Sequence, residues 1–149
     1  MASSANRNTD HDHAQLAVLQ GEIARAEGRP REAIPLLESA NVSGSRVTGS
    51  WVEPLESLAG ALADANRLEE AAKRYAEFLA GTPLGLEAQE DWLAAHVRLG
   101  DVYRRLGRAA EARAQYERLL TLWKDGDRDL VAREQAVAGL ARLTGKSTR

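Results

Sequence analysis

Three segments of the chain superimpose without gaps: GEIARAEGRPREAIPLLESA (21–40), AGALADANRLEEAAKRYAEF (59–78) and GDVYRRLGRAAEARAQYERL (100–119). This repeat constrains the fold more than composition does, because each copy must form the same local unit and bury its apolar face on a neighbour. Each copy opens on a small residue: Gly21, Ala59 or Gly100. Seven positions on comes a turn former (Gly28, Asn66, Gly107), and five beyond it an alanine (Ala33, Ala71, Ala112). Four further is a larger side chain (Leu37, Tyr75, Tyr116), and three more bring Ala40, Phe78 and Leu119. An acidic residue, Glu32, Glu70 or Glu111, precedes every alanine.

The spacing has a physical reading. A helix that must stop and reverse needs a residue tolerant of positive φ at its C-terminal end, and Gly and Asn serve best. Two antiparallel helices can then approach closely only where small residues meet, at the openers and the shared alanines. The larger residues fill the spaces left. Ala and Leu are abundant and favour helix, since Ala loses no side-chain entropy and Leu loses little. The expectation is an all-α chain of three hairpins at about 14–40, 51–80 and 86–124.

The pattern resembles the tetratricopeptide repeat over residues 14–124. Hairpin two is the fullest match, with Leu55, Leu58, Leu62, Tyr75, Phe78 and a closing Pro83; hairpin three follows with Leu99, Tyr103, Tyr116 and Leu119. Hairpin one departs from it, offering Ala17, Gln20 and Ala24 where larger apolar groups are usual. The period also departs: Gly28 to Asn66 is 38 residues and Asn66 to Gly107 is 41, against a family period of about 34. The extra residues fall in NVSGSRVTGS (41–50) and around GTPLGLEAQEDW (81–92), where the first helix of hairpin three is predicted to start near Leu86. The resemblance implies a right-handed stack of hairpins. A narrower likeness covers the C-terminal third. There Leu122, Trp123, Lys124, Asp125 and Asp127 match the close of repeats attached to bacterial serine/threonine kinases and winged-helix regulators. That likeness implies a module related to regulatory proteins, with nothing catalytic in it.

Beyond the acidic turn, Leu130, Val131, Val137, Leu140, Ala141 and Leu143 make one apolar stripe at helical spacing. Asp129 is the expected N-cap and Gly145 the expected stop, so a capping helix is predicted over 129–144. Residues 145–149 then form a tail. At the other end 1–13 is polar and is expected to be a disordered tail.

Composition narrows the function classes. No cysteine is present among 149 residues, which removes disulfides, thiolate zinc sites and cysteine nucleophiles together. A net charge of -2 lacks the basic excess that neutralises phosphates, so no nucleic-acid partner is expected. No apolar run approaches the roughly 20 residues of a membrane span, and 1–13 has no signal-peptide core. The expectation is a soluble, cytoplasmic protein without a membrane partner.

Four motifs invite a chemical reading. Asp10-His11-Asp12-His13 has metal-binding residue types but lies in the expected tail, without a second shell. Asp125-Gly126-Asp127-Arg128-Asp129 begins like a calcium loop, yet Leu130 and Ala136 stand where glycine and a bidentate glutamate are required. Gly145-Lys146-Ser147-Thr148 lacks the earlier glycine of a phosphate-binding loop, since Leu140 holds that place. His96 has no oriented partner or nucleophile nearby in sequence and reads as a packed, hydrogen-bonded histidine. Trp51, Trp92 and Trp123 flank helix ends and read as packing between hairpins. No enzyme activity, cofactor or metal is expected.

The remaining class is a protein-interaction scaffold, binding a peptide or protein on a concave face lined by the first helix of each hairpin. At helical spacing this face is expected to carry Val18, Glu22 and Arg25 from hairpin one. Hairpin two is expected to give Glu53, Glu56, Gly60 and Asp64, and hairpin three Val97, Arg98, Asp101, Arg104 and Arg105. The second set is acidic and the third net basic. The carboxylate clamp of chaperone-binding relatives is not matched, because only Arg98 has a counterpart and Val18 and Glu22 stand where Lys and Asn are needed. The alternative is self-association into a homodimer through apolar surface that the weak first hairpin leaves uncovered.

Overall fold

Three helix reversals are built alike. The computed structural model describes residues 4–42, 54–81, 86–124 and 131–145. At the end of α1 (Ser4–Ala26), Gly28 adopts φ +75°. Its N–H donates to the Arg25 carbonyl at 2.9 Å, and the Arg29 N–H donates to the Ala24 carbonyl at 2.8 Å. After α3 (Pro54–Asp64), Asn66 has φ +63°, with the Asn66 N–H on Ala63 O (3.1 Å) and the Arg67 N–H on Leu62 O (2.8 Å). After α5 (Leu86–Arg105), Gly107 has φ +75°, with Gly107 N–H on Arg104 O (3.0 Å) and Arg108 N–H on Tyr103 O (2.8 Å). This paired closure satisfies carbonyls that a helix end leaves without partners, and it requires a left-handed residue at its centre. The returning helices are α2 (Pro30–Val42), α4 (Leu68–Leu79) and α6 (Ala109–Leu122). A seventh helix, α7 (Val131–Leu143), follows, and there is no strand among the described residues.

The chain divides into two compact units, Met1–Arg74 and Tyr75–Arg149. In the first, α1 packs on α2 and α3, and α2 on α3. Leu37 is fully buried, and a Cβ added to Gly21 would lie 2.6 Å from its Cγ, so the leucine fills the space the glycine leaves. In the second unit α5, α6 and α7 pack on one another. Tyr116, at the repeat position of Leu37, is also fully buried. A Cβ on either Gly100 or Gly139 would fall 2.5 Å from its ring, so the ring is held between glycines of α5 and α7. Around it lie Leu93, Val97, Ala112, Leu119, Ala132 and Ala136, with Trp92 and Trp123 half-buried against them. Burying a leucine or aromatic side chain of this size contributes about 1.5–3 kcal/mol.

One boundary differs from the sequence expectation. α1 begins at Ser4, so residues 4–13 are helical where a disordered tail was predicted. Periodicity detects a helix only where one face is buried, and the polar start of α1 carries no such signal. α7 runs from Val131, and the expected N-cap Asp129 lies outside the described residues, as do most of the 41–50 connection and the calcium-like motif. α5 is described from Leu86, and residues 82–85 before it lie outside the described residues. No described helix is long and apolar enough to cross a membrane.

The shared alanines Ala33, Ala71 and Ala112 are all fully buried, whereas Ala114 is exposed. Ala112→Leu is therefore expected to cost about 1–3 kcal/mol through overpacking. Ala114→Leu should stay within about 0.5 kcal/mol of wild type. Chemical denaturation of the two variants checks this, and equal midpoints would mean the packing seam lies elsewhere.

Candidate functional site

The face expected to bind a partner is part surface and part core. In the first unit Val18 is 3% exposed. It belongs to the buried α1 stripe Ala14, Val18, Gly21 and Ala24, and so cannot line a groove. Arg25 is committed as well. Its guanidinium contacts Glu22 at 2.9 Å on its own helix and Asp64 at 3.0 Å on α3. It lies over Gly60, where an added Cβ would meet it at 2.5 Å. Burial opposes the charge, but Glu22 and Asp64 outweigh it and hold the guanidinium above its usual value. Arg25 thus ties α1 to α3. Glu56 is half-buried, and Glu53 lies outside the described residues.

In the second unit Val97 is likewise 3% exposed and part of the core, although it also borders a surface hollow between α5 and α7. It sits three residues before Gly100, as Val18 does before Gly21. Because α5 is covered by both α6 and α7, its buried arc is wider than that of a helix with one neighbour. Leu93 and Val97 belong to the core shared with α6 and α7, and Ala95, His96, Leu99 and Val102 are buried as well. The polar residues divide. Arg98 and Arg105 are exposed. Asp101 accepts from the Tyr116 hydroxyl at 2.9 Å and pairs with Arg104 at 3.4 Å. The Asp101–Arg104 pair occupies the repeat positions of Glu22–Arg25.

A surface hollow of about 510 Å³ lies between α5 and α7. Ala94, Val97 and Ala138 give it small apolar lining, and Arg98, Asp101, Glu134, Gln135 and Arg142 supply the polar groups. With Asp101 engaged by Tyr116 and Arg104, its exposed charges are Arg98, Arg142 and Glu134. Val97, Arg98 and Asp101 of this lining are among the residues the sequence put on the binding face, whereas the α7 residues are not. The α7 contribution depends on how that helix docks, which no local pattern encodes.

A second feature was legible and overlooked. A basic residue, Arg29, Arg67 or Arg108, follows each turn former. Each hydrogen-bonds the glutamate three residues on, Glu32, Glu70 or Glu111, with Arg67 Nη2 2.6 Å from Glu70 and Arg108 Nε 2.6 Å from Glu111. These bonds hold the Glu70 and Glu111 carboxyls below the usual range. They place a carboxylate in the first turn of each returning helix, where the helix dipole favours it. Arg108 also stacks over the Tyr103 ring at 4.6 Å.

His96 is 3% exposed. Its Nδ1 lies 2.8 Å from Gln115 Oε1, and its ring meets Trp92 edge-on at 4.6 Å. Trp92 Nε1 donates to the Leu79 carbonyl at 3.4 Å. Both tryptophans of this unit therefore serve packing, while Trp51 lies outside the described residues. Of Asp10–His13, only Asp12 and His13 have described side chains, and both are exposed. No family model matches the chain, and no curated protein matches it.

Burial, reinforced by the bond to Asp101, pushes the Tyr116 phenol up to about 12. An unfolded tyrosine ionises near 10. The neutral phenol therefore contributes stability that is full below pH ~10 and lost as pH rises toward ~12. The difference in tyrosinate absorbance between wild type and Tyr116→Phe should develop only near the upper value. The phenylalanine variant keeps the ring packing and should lose about 0.5–1.5 kcal/mol at neutral pH. A difference titration centred near 10 would show that the hydroxyl is not held by Asp101.

Proposed function

We propose that the chain is a soluble, non-catalytic protein-interaction module of the tetratricopeptide type, binding an acidic segment of a partner protein on the α5–α7 face. The observation that carries the family reading is positional equivalence. Left-handed residues sit at Gly28, Asn66 and Gly107. Fully buried alanines sit at 33, 71 and 112, and a large side chain fills the space over a glycine in both Gly21–Leu37 and Gly100–Tyr116. One repeating rule thus runs through hairpins of differing sequence, which is how repeat proteins build surfaces from a common scaffold.

The choice of face rests on the hollow. Its small apolar lining leaves room for a peptide side chain, and Arg98 and Arg142 stand among its exposed charges with Arg104 close by on α5. Exposed ion pairs contribute only about 0–1 kcal/mol to stability, so folding alone gives little reason for arginines in this arrangement. A cytoplasmic location and a place in a regulatory assembly accord with the cysteine-free composition and the kinase-associated resemblance of the C-terminal third.

One observation favours self-association as a second reading. Leu16, Leu19 and Ile23 are 52%, 56% and 57% exposed along one side of α1. Mass measurement in solution separates the readings: a dimer abolished by Leu19→Ser with Ile23→Ser supports self-association, and a monomer leaves the peptide-binding reading.

The double variant Arg98→Glu with Arg104→Glu should retain wild-type helicity. Partners captured by the wild type and identified by mass spectrometry should be lost from the variant. Wild-type binding should also weaken as salt shortens the screening length from about 10 Å at 0.1 M to about 3 Å at 1 M. Unchanged capture by the double variant would remove the basic α5 stripe as the binding site.

A further inference from the structure

His96 is a titratable group inside the core of the second unit that partner binding does not use. Its ring is held from two sides: Nδ1 lies 2.8 Å from Gln115 Oε1 on α6, and Trp92 presses edge-on at 4.6 Å from α5. The amide oxygen of Gln115 can only accept, so Nδ1 carries the proton and donates. Nε2 is then a bare acceptor, buried and without a hydrogen-bond partner among the described residues. A neutral ring tolerates this arrangement at modest cost. A charged ring does not, because its second N–H would point into apolar surroundings.

The charges around the ring do nothing to help it ionise. On α6 the group that acts on it is Arg118, a cation, which opposes a second positive charge. At the end of α4 the Leu79 carbonyl is already taken by Trp92. On α7 Glu134 and Arg142 line the hollow beside Val97. Burial, the leading cause, accordingly holds the imidazole below its usual value, against the opposing pull of the Gln115 bond.

We propose that His96 is an acid-release latch: its protonation frees α5 from α6 and loosens the second unit while the first is unaffected. The group is well placed for this. It lies on the helix that bears Arg98 and Asp101, beside core residue Val97, and its ring is tied to α6 through Gln115, so the cost of charging it falls on the α5–α6 contact. The sign follows from the depressed value. The stabilising contribution is complete above the unfolded-state value near 6.5 and is lost as pH falls below it. The inference concerns stability and stands independently of what the face binds.

The test uses the full chain. Amide hydrogen exchange, corrected for intrinsic rates, should speed at least tenfold in α5 and α6 between pH 7 and pH 5, with α1 and α2 unchanged. Ring nitrogen shifts should show the Nδ1–H tautomer at pH 7. His96→Gln keeps an amide donor toward Gln115 but cannot ionise, and should lose the acid sensitivity. The control His11→Gln with His13→Gln, which removes the other two histidines, should retain it. Should His96→Gln fold poorly, the wild-type exchange and ring titration decide. If the ring titrates near 6.5 without faster exchange in α5, or if α1 and α2 loosen in parallel, the latch is overturned.

Discussion

In both units the helices close on one another through a side chain lodged where its neighbour has none. Leu37 occupies the space above Gly21, and Tyr116 occupies the space between Gly100 and Gly139. Close-packed interiors leave no slack for a methyl group in such a place, so the glycines set how near the helix axes can come. Much else depends on that approach. Beside it Ala33 and Ala112 are completely buried. The approach also brings the Tyr116 hydroxyl to Asp101 and gives α7 a surface on which small residues suffice.

The features legible in the sequence are those fixed locally. A helix reversal needs one left-handed residue, so Gly28, Asn66 and Gly107 announced themselves by residue type and common spacing. Which polar and apolar residues share a helix face is also local. How many neighbours cover that helix is not, and this is why Val18 was misplaced and Val97 belongs mostly to the core. One turn of separation from an exposed polar residue says nothing about a second packing partner. Arg25 illustrates the complementary limit: its type and position suggested a ligand contact, while its role is set by Asp64, 39 residues away. Gly139 passed unnoticed because it interrupts an apolar stripe, although that interruption lets α7 reach Tyr116.

The repeated arginine after each turn shows a different failure, since nothing nonlocal was needed to see it. Arg29, Arg67 and Arg108 occupy one column of the repeat, three residues ahead of Glu32, Glu70 and Glu111. The pairs are exposed and contribute little by themselves. Their effect is directional: each arrangement sets a carboxylate at the start of a helix whose N–H groups have no intrahelical acceptor. Turn and helix start are therefore specified together within six residues, which makes each reversal a single local unit that can recur with different cores attached.

The second unit joins its core to its surface through few atoms. α7 buries Ala132, Ala136 and Gly139, side chains that offer little apolar area. Its docking therefore depends on shape, through dispersion contacts that fall away steeply with distance, together with the partly buried Leu140 and Leu143 that pack against the same core. Tyr116 is the surface it fits. The same tyrosine holds Asp101, which in turn engages Arg104. A displacement of the ring would alter both walls of the hollow together: α7 through the Gly139 contact and α5 through the Asp101 bond. The hollow is thus fixed by a buried aromatic that it does not expose, and its shape is as rigid as the packing around Tyr116.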